Sequence, residues 1–416
     1  MADKIELLDS IMGSGKSTKI LEWCESQPDT PFLYITPLLS ESEVRVVEAC
    51  SDSKFIAPST EHFKTKGEHL LDLLYSGVNI SITHALYSSL RKEHLVALKE
   101  NRYTLILDEE VSFISPLGDG YSISDFKYLK ELKQIEVEES NGKITWLNED
   151  IGENTKYTKL ANMCRLGMVY QSKRSDNWFV TQLPMDLIQY AERAILLTYL
   201  FEGSILDSFL KLKGIDVVPF TEVTLDRGMV NIEDLIEFVG ERQVQEWAGE
   251  SFSASWYLKA TQKELNGLAK SIRAVGNSQK VLSGDLLWCS PVSVARPQRR
   301  NAKKIAPVSY SAGTGDINDS GIASGCFLPC SSRATNAYRD RSVLVHCYNR
   351  FPHLSVSSFL QDYGCTVDNN QFALSELVQW VWRSQIRDGK PIKLCILSKR
   401  MRKLFQEWLD SLPTNT

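Results

Sequence analysis

Cysteine is sparse and unordered in this sequence: nine residues are scattered through 416, with no recurring spacing. That excludes a disulfide-stapled secreted framework and reads as reduced thiols in a cytosol. Cys326 and Cys330 are the closest pair, and no Cys/His pair stands beside them in the sequence to complete a zinc site. No uninterrupted apolar run approaches the roughly 20 residues of a membrane-spanning helix, so no membrane partner is expected. The opening residues hold acids and a glycine-containing loop where a secretory leader would need a basic start and an apolar stretch. Internal repeats and low-complexity tracts are also missing, which excludes solenoid and fibrous architectures. The net charge of −5 gives the whole molecule no attraction for nucleic acid, so any such binding has to come from local patches.

What remains is ordinary globular material: 43% hydrophobic and 24% charged residues, in a length suited to two domains. The informative feature lies near the start. Ile5, Leu7 and Leu8 form an apolar run, and Ser10-Ile11-Met12-Gly13-Ser14-Gly15-Lys16-Ser17-Thr18 follows directly. Gly13 and Gly15 allow a tight turn in which successive amides point inward at phosphate oxygens. Lys16 can reach terminal phosphates, and the Ser17 hydroxyl can hold Mg²⁺. The segment from Thr18 to Cys24 reads as a helix whose positive end faces the nucleotide. Ser10 stands where this loop usually has its first glycine.

Further short apolar runs follow at Phe32–Pro37, Val78–His84, Tyr103–Glu110 and Ala194–Leu200. Strands separated by helical stretches predict an α/β fold with a parallel sheet covered on both faces. Ligand groups then gather at the carboxyl ends of the strands. Asp108 and Glu109 end one of those runs. Asp108 can hold Mg²⁺ through water, and Glu109 can orient or deprotonate the water that attacks a terminal phosphate.

Between about 115 and 183 the βα rhythm breaks, and the region reads as an insertion. Ile135–Glu138 and Lys143–Trp146 alternate around the turn Glu139-Ser140-Asn141-Gly142, a hairpin signal. The first domain is expected to span 1–212 and the second 213–416, with a new start near Met229–Ile232 and Leu235–Val239. From about 276 to 325 the composition is irregular. Ser311-Ala312-Gly313-Thr314-Gly315-Asp316 reads as a surface loop, with a second phosphate-contacting loop as the alternative. Arg296, Arg299, Arg300, Lys303 and Lys304 form one basic cluster, and eight Lys/Arg between Arg383 and Lys403 form another.

Ser375 to Gly389 reads as one helix, capped by Ser375 and stopped by Gly389. Gln379, Arg383 and Arg387 are spaced four apart and would share a face. Such a stripe suits an anion, and an arginine from a second domain can stabilise charge on a transferring phosphoryl group.

In order, these segments resemble a superfamily 2 helicase: the phosphate loop, Tyr34–Leu38, Asp108-Glu109, Thr198 to Gly203, and Gln379/Arg383/Arg387. IMGSGKST, ITHALYSSL, LTYLFEGS, SRATNAYRDR and QWVWRSQIR resemble bacteriophage-encoded DEAD-like replication helicases in particular, and more distantly herpesvirus-type origin-binding helicases. Asp108-Glu109-Glu110-Val111 departs from the family's Asp-Glu-Ala-Asp/His, and Arg383 and Arg387 are four apart where the family has three. The resemblance implies two RecA-like P-loop domains and ATP with Mg²⁺ as cofactors. It also implies ATP hydrolysis coupled to single-stranded or forked DNA, in the company of phage replication proteins. It places Ser10, Met12, Gly13, Ser14, Gly15, Lys16, Ser17 and Thr18 on the nucleotide, and Ser17 and Asp108 on the metal. Glu109, Lys16, Gln379, Arg383 and Arg387 take catalytic roles. Thr36, Pro37, Thr83, His84, Thr198, Glu202, Arg333, Asn336 and Arg339 serve nucleic acid or coupling. Two other classes are a nucleotide-gated interaction protein and a P-loop nucleoside kinase.

Overall fold

The structure is a computed structural model that describes the chain except residues 1, 38, 40–41, 43–45, 50–53, 119, 149–155, 226–230, 300, 315, 318–320, 333–334 and 413–416. It contains two compact units. One comprises Met1–Ile11, Gly15–Leu225 and Pro352–Asp368; the other comprises Met12–Ser14, Asp226–Phe351 and Asn369–Thr416. The expected fold class is present: α/β, with an all-parallel sheet in each unit. Among the described residues no helix is long and apolar enough to cross a membrane.

The strands of the first unit are β1 (Lys4–Asp9), β2 (Phe32–Thr36), β3 (Ile80–Thr83), β4 (Thr104–Asp108), β5 (Ile114–Pro116), β6 (Ile135–Val137), β7 (Ile144–Trp146), β8 (Val169–Gln171), β9 (Phe179–Gln182), β10 (Arg193–Thr198) and β11 (Asp216–Pro219). The main sheet runs β11-β1-β10-β4-β2-β3, every pair parallel. Its central strands are the near-continuous apolar runs of the sequence, because a strand covered on both faces has no polar side. All five residues of β2 and of β4 are buried. β11 was not anticipated. Its pairing of Val217 with Ile5 carries the first unit past the expected limit at 212.

The insertion has its own small core of Phe126, Leu129, Ile135, Ile144, Trp146, Leu160 and Phe179. The expected hairpin is β6 with β7, in register Ile135↔Trp146 and Val137↔Ile144. One face of it is packed, with Ile135, Ile144 and Trp146 buried, and Glu136 and Thr145 on the other are exposed. Gly142 fits its turn for two reasons. Its φ is +67°, and a Cβ there would lie 2.1 Å from the Gln171 carbonyl oxygen.

A distant segment completes this unit. The helix Leu354–Gln361 sends Val356, Phe359 and Leu360 into the main core. After it, the Asp362 carboxylate, 1% exposed, accepts hydrogen bonds from Ser172 Oγ (2.7 Å), the Lys173 amide (2.6 Å) and Arg174 Nε (3.1 Å).

The second unit's sheet runs β12 (Ile236–Phe238), β15 (Ile392–Ile396), β14 (Val343–His346), β13 (Leu286–Cys289), again all parallel. The long helix Gln262–Ser278 starts at a Thr261/Glu264 capping box and buries Leu265, Leu268, Ile272 and Val275. Trp288 and Trp380 are fully buried, and their indole N–H groups donate to the Tyr310 and Leu328 carbonyls. The described residues between 296 and 342 have little regular structure. Arg296 and Lys303 of the expected basic cluster are spent inside the fold, donating to the carbonyls of Ala312, Gly313, Leu258 and Ala260. Gly313 lies against the Gly325 backbone, where a Cβ would come within 2.7 Å of Cα. The 311–314 stretch is nonetheless a surface loop, as expected: Ser311, Gly313 and Thr314 are exposed. Met229 and Val230 lie outside the described residues.

One expectation fails here. Ser375 to Gly389 is not a single helix. The helix runs Asn369–Val381, so Ser375 sits inside it, and a separate 3-10 turn covers Gln385–Asp388. Ser384 is extended (ψ −173°), and both its amide (3.1 Å) and its hydroxyl (2.7 Å) donate to the Val381 carbonyl at the break. Gly389 does end the segment, at φ +69°.

The helix Ile123–Glu131 begins on a Ser122/Asp125 capping box. Lys156 Nζ (2.8 Å), Tyr157 Oη (2.6 Å) and the Ser122 amide (2.6 Å) all donate to the Asp125 carboxylate, and together they hold its pKa well below the usual carboxylate range. A carboxylate whose folded pKa is depressed stabilises the native state above its unfolded pKa of about 3.9, and loses that contribution as pH falls below it. Asp125→Asn is therefore expected to melt below wild type at pH 7 and pH 5, with the gap closing from about pH 4 downward. An equal gap at pH 7 and pH 2, by calorimetry, would refute the charge-based account.

Candidate nucleotide-binding site

The parallel register of the first sheet brings several sequence-predicted residues to one edge. Asp9 pairs with Thr198, Leu197 with Asp108, and Thr36 with Thr83. The loop that leaves β1 enters this edge. Gly13 and Gly15 have φ of +82° and +80°, the left-handed region that glycine adopts without strain. Ser10 is not among the residues with positive φ, so the glycine usual at its position is not required here. Its amide donates to the Thr198 carbonyl at 3.0 Å. Gly15 caps the helix Lys16–Glu25, whose free N–H groups and dipole favour an anion at this end. Met12 and Ser14 are half-buried, Thr18 is exposed, and Ser14 Oγ is buried with no hydrogen-bond partner among the described residues.

Lys16 Nζ is held over the loop by the carbonyl oxygens of Ser10 and, at 3.0 Å, Ile11. Ser17 Oγ donates to Asp108 Oδ2 at 3.0 Å, and Tyr34 Oη donates to the same oxygen at 2.8 Å. Hydrogen bonds to a charged acceptor are worth about 1.5–3 kcal/mol each. His84 Nε2 donates to the Asp108 carbonyl at 3.1 Å, so the carboxylate and its backbone are both fixed. Thr83 caps the short helix His84–Tyr87 by accepting from the Leu86 amide.

Glu109 follows in an unusual conformation, with φ +67°. A non-glycine residue there costs about 1–2 kcal/mol, and such outliers cluster at functional sites. Its amide donates to the Leu197 carbonyl at 3.0 Å. Glu110 Oε1 accepts from Thr198 Oγ1 at 3.3 Å.

Leu200 is strained in the same way, at φ +59°. The Asp9 carboxylate holds it, accepting from the amides of Leu200 and Phe201, both at 3.0 Å. Asp9 escaped the sequence reading, and Tyr34 entered it only as the first residue of the Tyr34–Leu38 segment, without a role of its own. The available signal was their position: Asp9 is the last residue of a central strand, and Tyr34 lies mid-strand in a run otherwise apolar. Thr36 and Thr198 are buried, which suits coupling and precludes direct contact with a nucleic-acid strand; Glu202 is exposed and Pro37 partly so.

The second unit holds the remaining candidates. Gln379 is half-buried on the helix Asn369–Val381, and its Nε2 donates to Ser375 Oγ at 3.2 Å. Arg383 is 4% exposed and follows that helix. Arg387 is exposed, and its Nη1 donates to Asn336 Oδ1 at 2.6 Å. The expected common face is absent, because the helix ends between Gln379 and Arg383. Arg339 forms a two-pronged pair with Asp388, at 2.7 and 3.1 Å. Arg333 lies outside the described residues. The basic run up to Lys403 is dispersed. Arg400 bonds Asn349, Asn369, Asn370 and the Arg350 carbonyl, and Arg402 pairs with Glu241.

A further cluster also escaped the sequence reading. Cys330 is joined in space by Cys289 and His346, all buried, with their ligating atoms within 4.8 Å of one another. This corrects the expectation that no Cys/His set gathers around the Cys326/Cys330 pair.

Residues 229–409 match the family described as the YonV C-terminal Rossmann-like domain. Over 98% of this chain and 99% of the relative, the sequence is 26% identical to the SPbeta prophage-derived uncharacterized protein YonV of Bacillus subtilis strain 168. The fold resembles a solved structure of XPD in its apo form, with TM-score 0.54 and 13% identity over 99% of this chain and 96% of that one. Xpd4 of S. tokodaii aligns over 97% and 94% of the two chains, at TM-score 0.44 and 11% identity. The likeness to XPD bears out the expected fold of two RecA-like domains.

The Asp9 clamp has a measurable consequence. In Asp9→Ala, Leu200 and Phe201 lose a charge-assisted acceptor worth about 1.5–3 kcal/mol. Their amides are expected to exchange with deuterium roughly ten- to a hundredfold faster, while those of β4 keep their protection. Unchanged exchange at 200–201 would remove Asp9 from this role.

Proposed function

We propose that the chain is an ATP-driven motor of the superfamily 2 type that acts on nucleic acid, with single-stranded or forked DNA as the favoured track. The observation that carries the reading is the Ser17–Asp108–Tyr34 hydrogen-bond set beside the strained Glu109, at the edge where the glycine loop turns into a helix. The residues fit magnesium and a nucleotide. The loop offers inward-turning backbone and an unpartnered buried Ser14 hydroxyl, Lys16 supplies a cation held over the loop, and Ser17 with Asp108 supplies hard oxygen donors.

Magnesium ATP, when bound, supplies an electrophilic terminal phosphorus and a Lewis acid on its phosphate oxygens. The chain's own residues do the rest. Lys16 neutralises phosphate charge, and Ser17 and Asp108 hold the metal. Tyr34 and His84 keep Asp108 from rotating away. Glu109 accepts a proton from the attacking water at its carboxylate. Arg387 and Arg383 are the candidates for stabilising charge on the phosphoryl group. The Thr198–Glu110 bond and the Asp9 clamp on Leu200 join this edge to the 198–203 segment, the element assigned to relaying nucleotide state. The proposal extends to a role in phage DNA replication or recombination; the prophage origin of the relative supports the phage setting alone.

The test is steady-state ATP hydrolysis with and without single-stranded DNA. DNA is expected to raise turnover in wild type, with a steep decline as salt is added, because phosphate contacts release counterions. Glu109→Gln should lower kcat by about 10²–10⁴ while nucleotide binding persists, and Lys16→Ala should lose binding. ATP binding without DNA-responsive turnover would replace the motor by a nucleotide-gated interaction protein. Phosphate appearing on a nucleoside would replace it by a kinase.

A further inference from the structure

β13 and β14 are neighbours in register, and their last residues, Cys289 and His346, are direct partners. Residues directly paired on adjacent strands project to the same face, so a thiol and an imidazole stand together at the sheet's carboxyl edge. The chain then returns beside β13. The Trp288 amide donates to the Cys326 carbonyl, and the Leu328 amide donates to the Trp288 carbonyl, which lays 326–328 along the strand as an added parallel bridge. That path delivers Cys330, whose Sγ lies 3.4 Å from His346 Nε2.

All three side chains are buried, and their ordinary polar partners are poor. His346 is wholly inaccessible, its Nδ1 has no hydrogen-bond partner among the described residues, and its Nε2 faces only a sulfur. A buried imidazole nitrogen so placed costs free energy unless something else satisfies it, and a cation can take one of the two ring nitrogens. The edge of Trp380 lies against the ring, centroids 5.2 Å apart, and fixes its plane. The same Trp380 bonds the Leu328 carbonyl, so ring and returning loop are positioned by one side chain. Cys330 is 5% exposed, which argues against a nucleophile's role.

We propose that Cys289, Cys330 and His346 bind one thiophilic divalent cation of the Zn²⁺ class, which pins the 323–330 segment to the carboxyl edge of the second unit's sheet. Two thiolates and an imidazole are the soft and borderline donors that such an ion selects, and hard Mg²⁺ is not held by them. A tetrahedron with metal–sulfur bonds of about 2.3 Å separates two sulfurs by about 3.8 Å, and the three ligating atoms lie within 4.8 Å of one another. The need is visible too: the described residues from 296 to 342 have little regular structure, and a long stretch of that kind in a compact unit is held by anchors. Arg341, buried and bonded to the Gly284 and Ala323 carbonyls, is one; the cation is another. The site belongs to the second unit and is independent of the nucleotide reading.

The probe is Co²⁺, titrated anaerobically into the full chain after reduction and chelator treatment, with excess Mg²⁺ present to occupy oxygen sites. One equivalent is expected to bind with an intense thiolate-to-cobalt absorption in the near ultraviolet and to be displaced by Zn²⁺. Cys330→Ala and Cys289→Ala should lose the band, and Cys24→Ala, buried in the first unit, should keep it. If a variant folds poorly by circular dichroism, the wild-type titration still decides. Absence of the thiolate band in reduced wild type overturns the proposal, as does a band that survives in both Cys330→Ala and Cys289→Ala.

Discussion

The shared carboxyl edge of the first unit's parallel strands is the constraint on which the rest of that unit's chemistry depends. Parallel pairing forces neighbouring strands to end on the same side, so whatever residues terminate them meet without further guidance. Asp9, Thr36, Thr83, Asp108 and Thr198 are each the last residue of a strand. Apolar runs far apart in sequence therefore deliver acids, hydroxyls and an imidazole to one place. The glycine loop then needs to add only a cation and a helix end.

That economy explains what was legible. A central parallel strand is apolar throughout, so β1, β2, β3, β4 and β10 stand out as runs, and the residues at the ends of several of them read as a site from the sequence alone. The loop was legible because Gly13 and Gly15 sit where a left-handed backbone is needed. Edge elements were not. β11 is short and half-buried, and the helix Leu354–Gln361 joins a core whose other members lie far upstream in the sequence.

The misread helix shows the limit of periodicity. Gln379, Arg383 and Arg387 fit a four-residue repeat, but Ser384 offers the backbone a local alternative by bonding the Val381 carbonyl, and the helix stops. Spacing predicts a common face only while the helix lasts. The Cys/His cluster fails to show for a different reason. Cys289 and His346 are neighbours through strand register, and sequence separation carries no trace of register. Asp9, too, looked like an ordinary acid at a strand end until Leu200 was seen in a conformation that needs holding.

The chain leaves its first unit after Leu225, returns at Pro352, and leaves again after Asp368. The polypeptide is therefore interleaved and not a string of two beads. A piece ending at 225 would lack Val356, Phe359 and Leu360 and expose the apolar face they cover. The segment matched by the YonV C-terminal description, 229–409, contains this borrowed helix within it. The first unit cannot be duplicated or inherited without 352–368, which lies inside the second unit's stretch of sequence, so a lineage that keeps the first unit is expected to keep the region around that helix as well.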